Sequence, residues 1–305
     1  MFSEQQKWAL EQFDALAGSL GSQNKACAQI GINTSIVSQL KSGKYAGNSD
    51  VQFSKLISYF GTKTEAAAAP SRQVMLSQYA KTSVSERVYE GIRNCQLQGG
   101  LATICGAAGI GKTMGAKQFR ADHPNDSLYI AVNPCFRNIK ALLKLLCTKL
   151  GIPERTIDEM WLGLANKLRD GMVIIFDDAQ HLPIKTLEAL RALADDFADR
   201  GQTLGLCFVG NPETVFGGKK RAEFAQISNR MKQRIVLSTS DTQENDIKLL
   251  FPATSSKMEV DLLLYVAHSV EGVRGTAALY TNAADNRDTS YDGLVAMAKH
   301  MGLAV

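Results

Sequence analysis

Lys112 and Thr113 stand side by side at the end of the glycine-rich run Gly106-Ala107-Ala108-Gly109-Ile110-Gly111-Lys112-Thr113. This is the full GxxxxGK(S/T) pattern. Glycines at its first, fourth and sixth positions let successive backbone N–H groups turn inward around a polyphosphate. Lysine then supplies a cation for the β- and γ-phosphates, and the threonine hydroxyl supplies a ligand for Mg²⁺. With Met114 opening the helix that follows, residues 106–114 are predicted to bind ATP and Mg²⁺. Two acids, Asp177 and Asp178, end the apolar run Val173-Ile174-Ile175-Phe176. Asp177 is predicted to hold the Mg²⁺ shell through Thr113 and water, and Asp178 to orient the attacking water as general base. Capping of the next helix is the plainer reading of the pair. Asn211, after Cys207-Phe208-Val209-Gly210, could sense the γ-phosphate or place the water; Asn-Pro is also a common turn.

These residues need a frame. Leu101 to Cys105 is an apolar run fit for a buried strand, and Met114 to Ala121 reads as a helix, so the loop lies in the strand–loop–helix order that phosphate binding requires. Further strands are predicted at 128–132, 172–176, 204–209 and 234–237. Helices are predicted from Ser83 to about Asn94, and over 138–150, 157–168 and 186–198. Strands alternating with helices give a mainly parallel sheet covered on both faces. Residues 242–305 return to helices alone, a small lid-like bundle.

Residues 1–60 are purely helical in pattern. Trp8, Phe13 and Leu16 form one apolar stripe; Ser22 can cap a helix over 23–30, Gly31-Ile32-Asn33 forms a tight turn, and a third helix covers 34–40. A small residue, Cys27, lies four before Gly31, with Ile30, Ile32, Val37 and Leu40 apolar around the turn. The stretch resembles the repressor-type helix-turn-helix family. That resemblance implies Asn33, Thr34, Ser35, Ser38 and Gln39 in the major groove of DNA, with Lys41 and Lys44 on phosphates. The alternative is a helical bundle for protein contacts: five lysines against four acids give this segment a net charge of only +1. Residues 61–73, with four consecutive alanines and Pro70, read as a linker, leaving 74–239 as the α/β core and 240–305 as the lid.

Composition narrows the class. The chain has 305 residues, 45% hydrophobic and 21% charged, an ordinary balance for a soluble globular protein. No apolar run approaches the ~20 residues of a membrane helix, and the first residues lack a signal-peptide layout, so a cytoplasmic protein is expected. The six cysteines form no CxxC pair and read as core thiols. A net charge of +4 hints at an anionic partner.

The P-loop, the acid-tipped strand, the asparagine-tipped strand and the helical lid together resemble the AAA+ ATPases, in which nucleotide lies between neighbouring subunits of a ring or helix. The resemblance implies two arginine roles. Residues 215–235 hold six basic side chains against Glu223 alone. Arg230 matches the finger that such proteins send into the next subunit, with Arg221 or Arg234 as alternates. Arg274, opening a lid helix, matches their second sensor arginine. The order of domains, with Gly217-Gly218-Lys219-Lys220-Arg221-Ala222-Glu223-Phe224-Ala225 and Arg230 to Arg234, resembles the Mu B-like family of ATP-dependent target DNA activators, the AAA+ ATPases of phage transposition. That family implies a DNA-stimulated, slow ATPase in the host cytoplasm. It would form a helical filament on double-stranded DNA of any sequence, deliver that DNA to a transposase and stimulate strand transfer. Arg137, Lys140 and Lys144 are then candidates for the filament's inner surface, or simply a solvated helix face. Asp178 departs from the family's usual glutamate and is one methylene shorter. The competing readings are an ATP-switched transcription regulator and a helicase loader.

Overall fold

The computed structural model describes residues 2–68, 79–135, 138–153, 155–212 and 231–305. The chain divides into two compact units, residues 1–74 and 75–305.

The first unit is four helices, α1 (Glu4–Ser19), α2 (Gln23–Ile30), α3 (Thr34–Lys41) and α4 (Ser49–Ala68). Ser3 caps α1 in a reciprocal capping box with Gln6. Gly31 ends α2 in the left-handed region, φ 75°, and its N–H and that of Ile32 both donate to the Cys27 carbonyl. Cys27 is buried with Phe13, Val37, Leu40, Phe53 and Leu56 in one apolar core. The alanine run expected as linker is helical as far as Ala68. Alanine is the strongest helix former, so once packing anchors the first half of α4 nothing in 62–68 stops its propagation.

The second unit is built on a five-stranded sheet: β1 (Gly100–Gly106), β2 (Ser127–Ala131), β3 (Met172–Asp177), β4 (Leu204–Gly210) and β5 (Met231–Leu237), in the order β2-β3-β4-β1-β5. Every pairing is parallel. The period-2 alternation of strand side chains divides each central strand between two cores. Met172, Ile174 and Phe176 of β3 and Leu204, Leu206 and Phe208 of β4 face one core. There they meet α7 (Ile139–Leu150), α8 (Ile157–Lys167) and α9 (Ile184–Asp199). Val173, Ile175, Cys207 and Val209 face the other, with α5 (Ser83–Gln98) and α6 (Lys112–Asp122). Burial on both faces is why these strands are continuous apolar runs. Five of the six cysteines are buried; Cys135 is exposed.

A separate apolar core holds the C-terminal helices α10 (Glu244–Leu250), α11 (Lys257–His268), α12 (Gly272–Asp285) and α13 (Tyr291–His300). The carboxylate of Asp246, in α10, is buried and accepts from the Ser83 N–H at 2.8 Å and the Gln243 N–H at 2.7 Å. It ties the lid to the first turn of α5.

Candidate nucleotide site

The site is assembled at the C-terminal edge of the sheet, where β1, β3 and β4 end side by side. In open parallel sheets this edge, with its helix N-termini, is where ligands are held. Gly106 ends β1 against the Leu237 backbone, whose carbonyl would lie 2.6 Å from any added Cβ. Gly111 precedes α6 at φ 100°, a conformation open to glycine and strained for other residues. Among the described residues, no backbone hydrogen bond is recorded for the N–H groups of Ala107, Ala108, Gly109 and Gly111, and α6 begins without a side-chain cap. The Ile110 side chain turns into the core while Ala108 and Met114 are exposed, so the loop offers its backbone outward.

Lys112 is buried, and its Nζ donates to the carbonyls of Gly106 at 2.8 Å and Ala107 at 2.6 Å. Burial pushes its pKa down, while the Asp177 and Asp178 carboxylates act the other way and Arg274 adds to the lowering. Those influences place all four side chains in one electrostatic neighbourhood. Thr113 is half-buried in the first turn of α6. Unbonded loop amides, a caged ammonium and a helix N-terminus are the donor set a polyphosphate needs.

Asp177 is buried at the end of β3, on the face shared with Val173 and Ile175 and hence on the side of α6. Its Oδ2 accepts from the Tyr129 phenol at 2.6 Å and its Oδ1 from the Asp178 N–H at 3.1 Å. Tyr129 pairs in register with Ile175, so its ring shares that face and its hydroxyl reaches two residues along to the acid. Asp178 is exposed and left-handed, φ 55°, preceding the single 3-10 turn Ala179–His181. Aspartate enters that region more readily than glutamate, a physical reason for the shorter acid here. Gln180 lies between Asp178 and Asn211: its Nε2 donates to Asp178 Oδ1 at 3.3 Å, and its Oε1 accepts from the Asn211 N–H at 3.2 Å.

The lid closes on the loop through backbone. The Arg274 N–H donates to the Gly109 carbonyl at 2.9 Å. Gly272, at φ 62°, leaves only 3.1 Å between a would-be Cβ and the Ala108 carbonyl, so a side chain there would press directly on the loop.

The fold brings the predicted residues Gly106 to Met114, Asp177, Asp178, Asn211 and Arg274 to one place, and adds Tyr129 and Gln180, whose only trace in the sequence is one polar group inside an apolar strand and one amide just beyond the paired acids. Arg230 and Arg221 lie outside the described residues, as does Arg137; Arg234 is exposed on β5. Lys140 and Lys144 are exposed on α7. Within the first unit the Asn33 side chain caps α3 by accepting from the Ser35 N–H, Thr34 bonds Asn24, and the Ser38 hydroxyl donates to the Thr34 carbonyl. Lys41, expected on phosphate, pairs with Asp14, and its Nζ lies 5.1 Å over the Phe13 ring. Gln39 and Lys44 are exposed.

Residues 95–215 match the AAA domain family. That span holds the phosphate loop, both acids and Asn211. The chain carries a AAA domain on a AAA+ fold and is an ATPase. Over 256 residues, 80% of this ATPase and 77% of the relative, it is 26% identical to the ATP-dependent target DNA activator B of Escherichia phage Mu. It is 27% identical over 231 residues to the Mu-like prophage FluMu DNA transposition protein B of Haemophilus influenzae, covering 74% of this chain and 76% of that one. Among solved structures, the Aeropyrum pernix ORC2 protein in ADPNP–ADP complexes superposes with a TM-score of 0.53 at 14% identity, over 70% of this chain and 66% of the other. The ORC1 protein of the same organism in complex with DNA gives 0.50 at 15%, over 72% and 64%. The chain spans just under two thirds of those two structures, and at such identities they speak for the AAA+ fold alone.

Tyr129 makes a testable contribution. Burial, then its bond to Asp177, pushes its pKa well above the ordinary tyrosine value. A raised folded pKa stabilises fully below the unfolded value of ~10, and that stability is lost as pH rises above it. Tyr129→Phe is therefore expected to cost about 1 kcal/mol at pH 7, the worth of one hydrogen bond. The deficit should shrink as the pH is taken above ~10, because only the tyrosine chain can ionise on unfolding. Urea midpoints of both proteins across that range check this; a deficit that stays constant contradicts it.

Proposed function

We propose that this ATPase binds double-stranded DNA without regard to sequence when loaded with ATP and Mg²⁺, assembles along it as a filament of identical copies, and presents it as target to a transposase. The observation that carries the reading is the extent of similarity to the phage target DNA activator, 80% of this chain, far beyond the matched AAA domain. The closed contact between the lid and the phosphate loop supports it, since it gives the lid a direct sense of what the loop holds.

The chain's own residues divide the work. The amides of 107–111 and the helix α6 N-terminus would bind the phosphates, with Lys112 leaving its carbonyl cage to meet them. Thr113 and Asp177 would hold Mg²⁺, which when bound neutralises phosphate charge during transfer. Tyr129 fixes the Asp177 carboxylate. Asp178 would take a proton from the attacking water, with Asn211 beside it. Arg274 would answer the phosphates from the lid. Arg230, or one of its neighbours Arg221 and Arg234, would enter the site of the next copy. That leaves nucleotide between subunits, so binding it favours assembly by linkage. Lys140 and Lys144, with Arg137, are assigned to the DNA phosphates. The exposed side chains of α3 and the following turn, Gln39 and Lys44 among them, would contact DNA from the first unit.

Grip through phosphates alone has a characteristic signature. With ATP present, affinity should be equal for unrelated duplex sequences. It should fall linearly on a log–log plot against salt, by about 10³–10⁵ between ~50 and ~200 mM if 6–10 phosphates are neutralised. Fluorescence anisotropy with two unrelated duplexes measures both properties. One sequence bound far more tightly than the other would contradict the reading.

A further inference from the structure

The Asp178 carboxylate has a single hydrogen-bond partner among the described residues, the Gln180 amide, and that amide is also the acceptor for the Asn211 N–H. Only one orientation of the amide serves both: carboxylate needs a donor, so Nε2 faces Asp178, and backbone N–H needs an acceptor, so Oε1 faces Asn211. The turn bearing Gln180 is itself held, with the His181 N–H on the Asp178 carbonyl at 3.1 Å, the Leu182 N–H on the Ala179 carbonyl at 3.0 Å, and Ala179 buried. Asp178 occupies a left-handed conformation that aspartate tolerates at some cost. A side chain in that position has no helix or strand to fix it, and what aims it is one neutral side chain two residues on, which also reaches across to the tip of β4.

We propose that Gln180 is a positioning residue, which sets the Asp178 carboxylate relative to the tip of β4 and so couples the position of Asn211 to hydrolysis. This rests on the reading of Asp178 as general base. The bridge demands a donor and an acceptor in one side chain of this length. Glutamate matches the shape and keeps an acceptor for the Asn211 N–H, yet it cannot donate to Asp178 when ionised and sets like charge against it. Alanine removes both contacts.

Steady-state hydrolysis, fluorescent-nucleotide affinity and amide exchange of the segment ending at Asn211 should be measured on wild type, Q180E, Q180A and D178N. Gln180→Glu is expected to lower kcat about 10- to 100-fold, the usual effect of losing a partner that orients a reacting group. Nucleotide Kd and KM should stay within about two-fold, because the phosphate loop is untouched. Gln180→Ala should lower kcat similarly and, unlike Gln180→Glu, speed exchange at Asn211. If Q180E turns over like wild type while Q180A does not, Gln180 only fills space and the proposal is overturned. Loss of nucleotide affinity in step with kcat would overturn it as well. The underlying assignment fails separately: D178N with normal turnover removes the base from Asp178, whereas a slow D178N beside a normal Q180E overturns the role of Gln180 alone.

Discussion

Lys112→Ala is expected to abolish ATP-dependent assembly on DNA and to reduce hydrolysis by about 10²–10³, the scale for removing one preorganised donor from a reacting phosphate. The side chain is buried, and its ammonium rests on two backbone carbonyls of the loop it serves. Burial disfavours its charge, partly offset by Asp177 and Asp178. An ammonium kept in such a place has little role in stability, so the variant should melt close to wild type. The assembly effect follows from linkage. Ligand at 100 times its Kd stabilises the state that binds it by about 2.7 kcal/mol. Should the substitution weaken binding ~100-fold, that contribution falls to about 0.4 kcal/mol at the same concentration. Nucleotide titration and sedimentation of the variant with DNA check both effects. Assembly at wild-type ATP concentrations would contradict the role given to the phosphate loop.

Asp178→Asn should separate assembly from turnover. General-base catalysis is worth roughly 10²–10⁴, and kcat is expected to fall within that range while nucleotide affinity and DNA-bound assembly persist. The substitution is gentle on the fold. Asparagine tolerates the left-handed backbone of this position at least as well as aspartate. Its amide can still accept from Gln180, and Asp177 stays fixed by Tyr129. Assemblies should therefore outlive those of wild type. A hydrolysis assay beside a DNA-release time course reads both; undiminished turnover would move the base to another group.

What the sequence reveals here follows the range of the interactions concerned. The loop at 106–113 is the most legible part, because glycines at fixed spacing dictate its backbone conformation over eight consecutive residues. The central strands β3 and β4 are read to within a residue, because burial on both faces writes each as a local apolar run, whereas the half-exposed edge strand β5 is read three residues late at its start. The alanine segment carries two readings at once: a composition typical of tethers is also that of the best helix formers, and α4 continues through it to Ala68. Lys41 is legible only in part, since its charge suits a phosphate and only the fold shows Asp14 and Phe13 beside it. Tyr129 and Gln180 are the least legible. Tyr129 meets an acid 48 positions away and Gln180 an amide 31 away, so neither contact leaves a local pattern. The parity of β2 against β3 is what finally aims the Tyr129 phenol at Asp177.

Under the proposed function, nucleotide joins copies of this chain, and the joined array, rather than the single molecule, grips DNA. Negative-stain microscopy of the full chain with a slowly hydrolysed ATP analogue, Mg²⁺ and random-sequence duplex tests it most directly. Continuous filaments that vanish when either nucleotide or duplex is withheld are the predicted result. Isolated monomers on the grid with both in excess would contradict it.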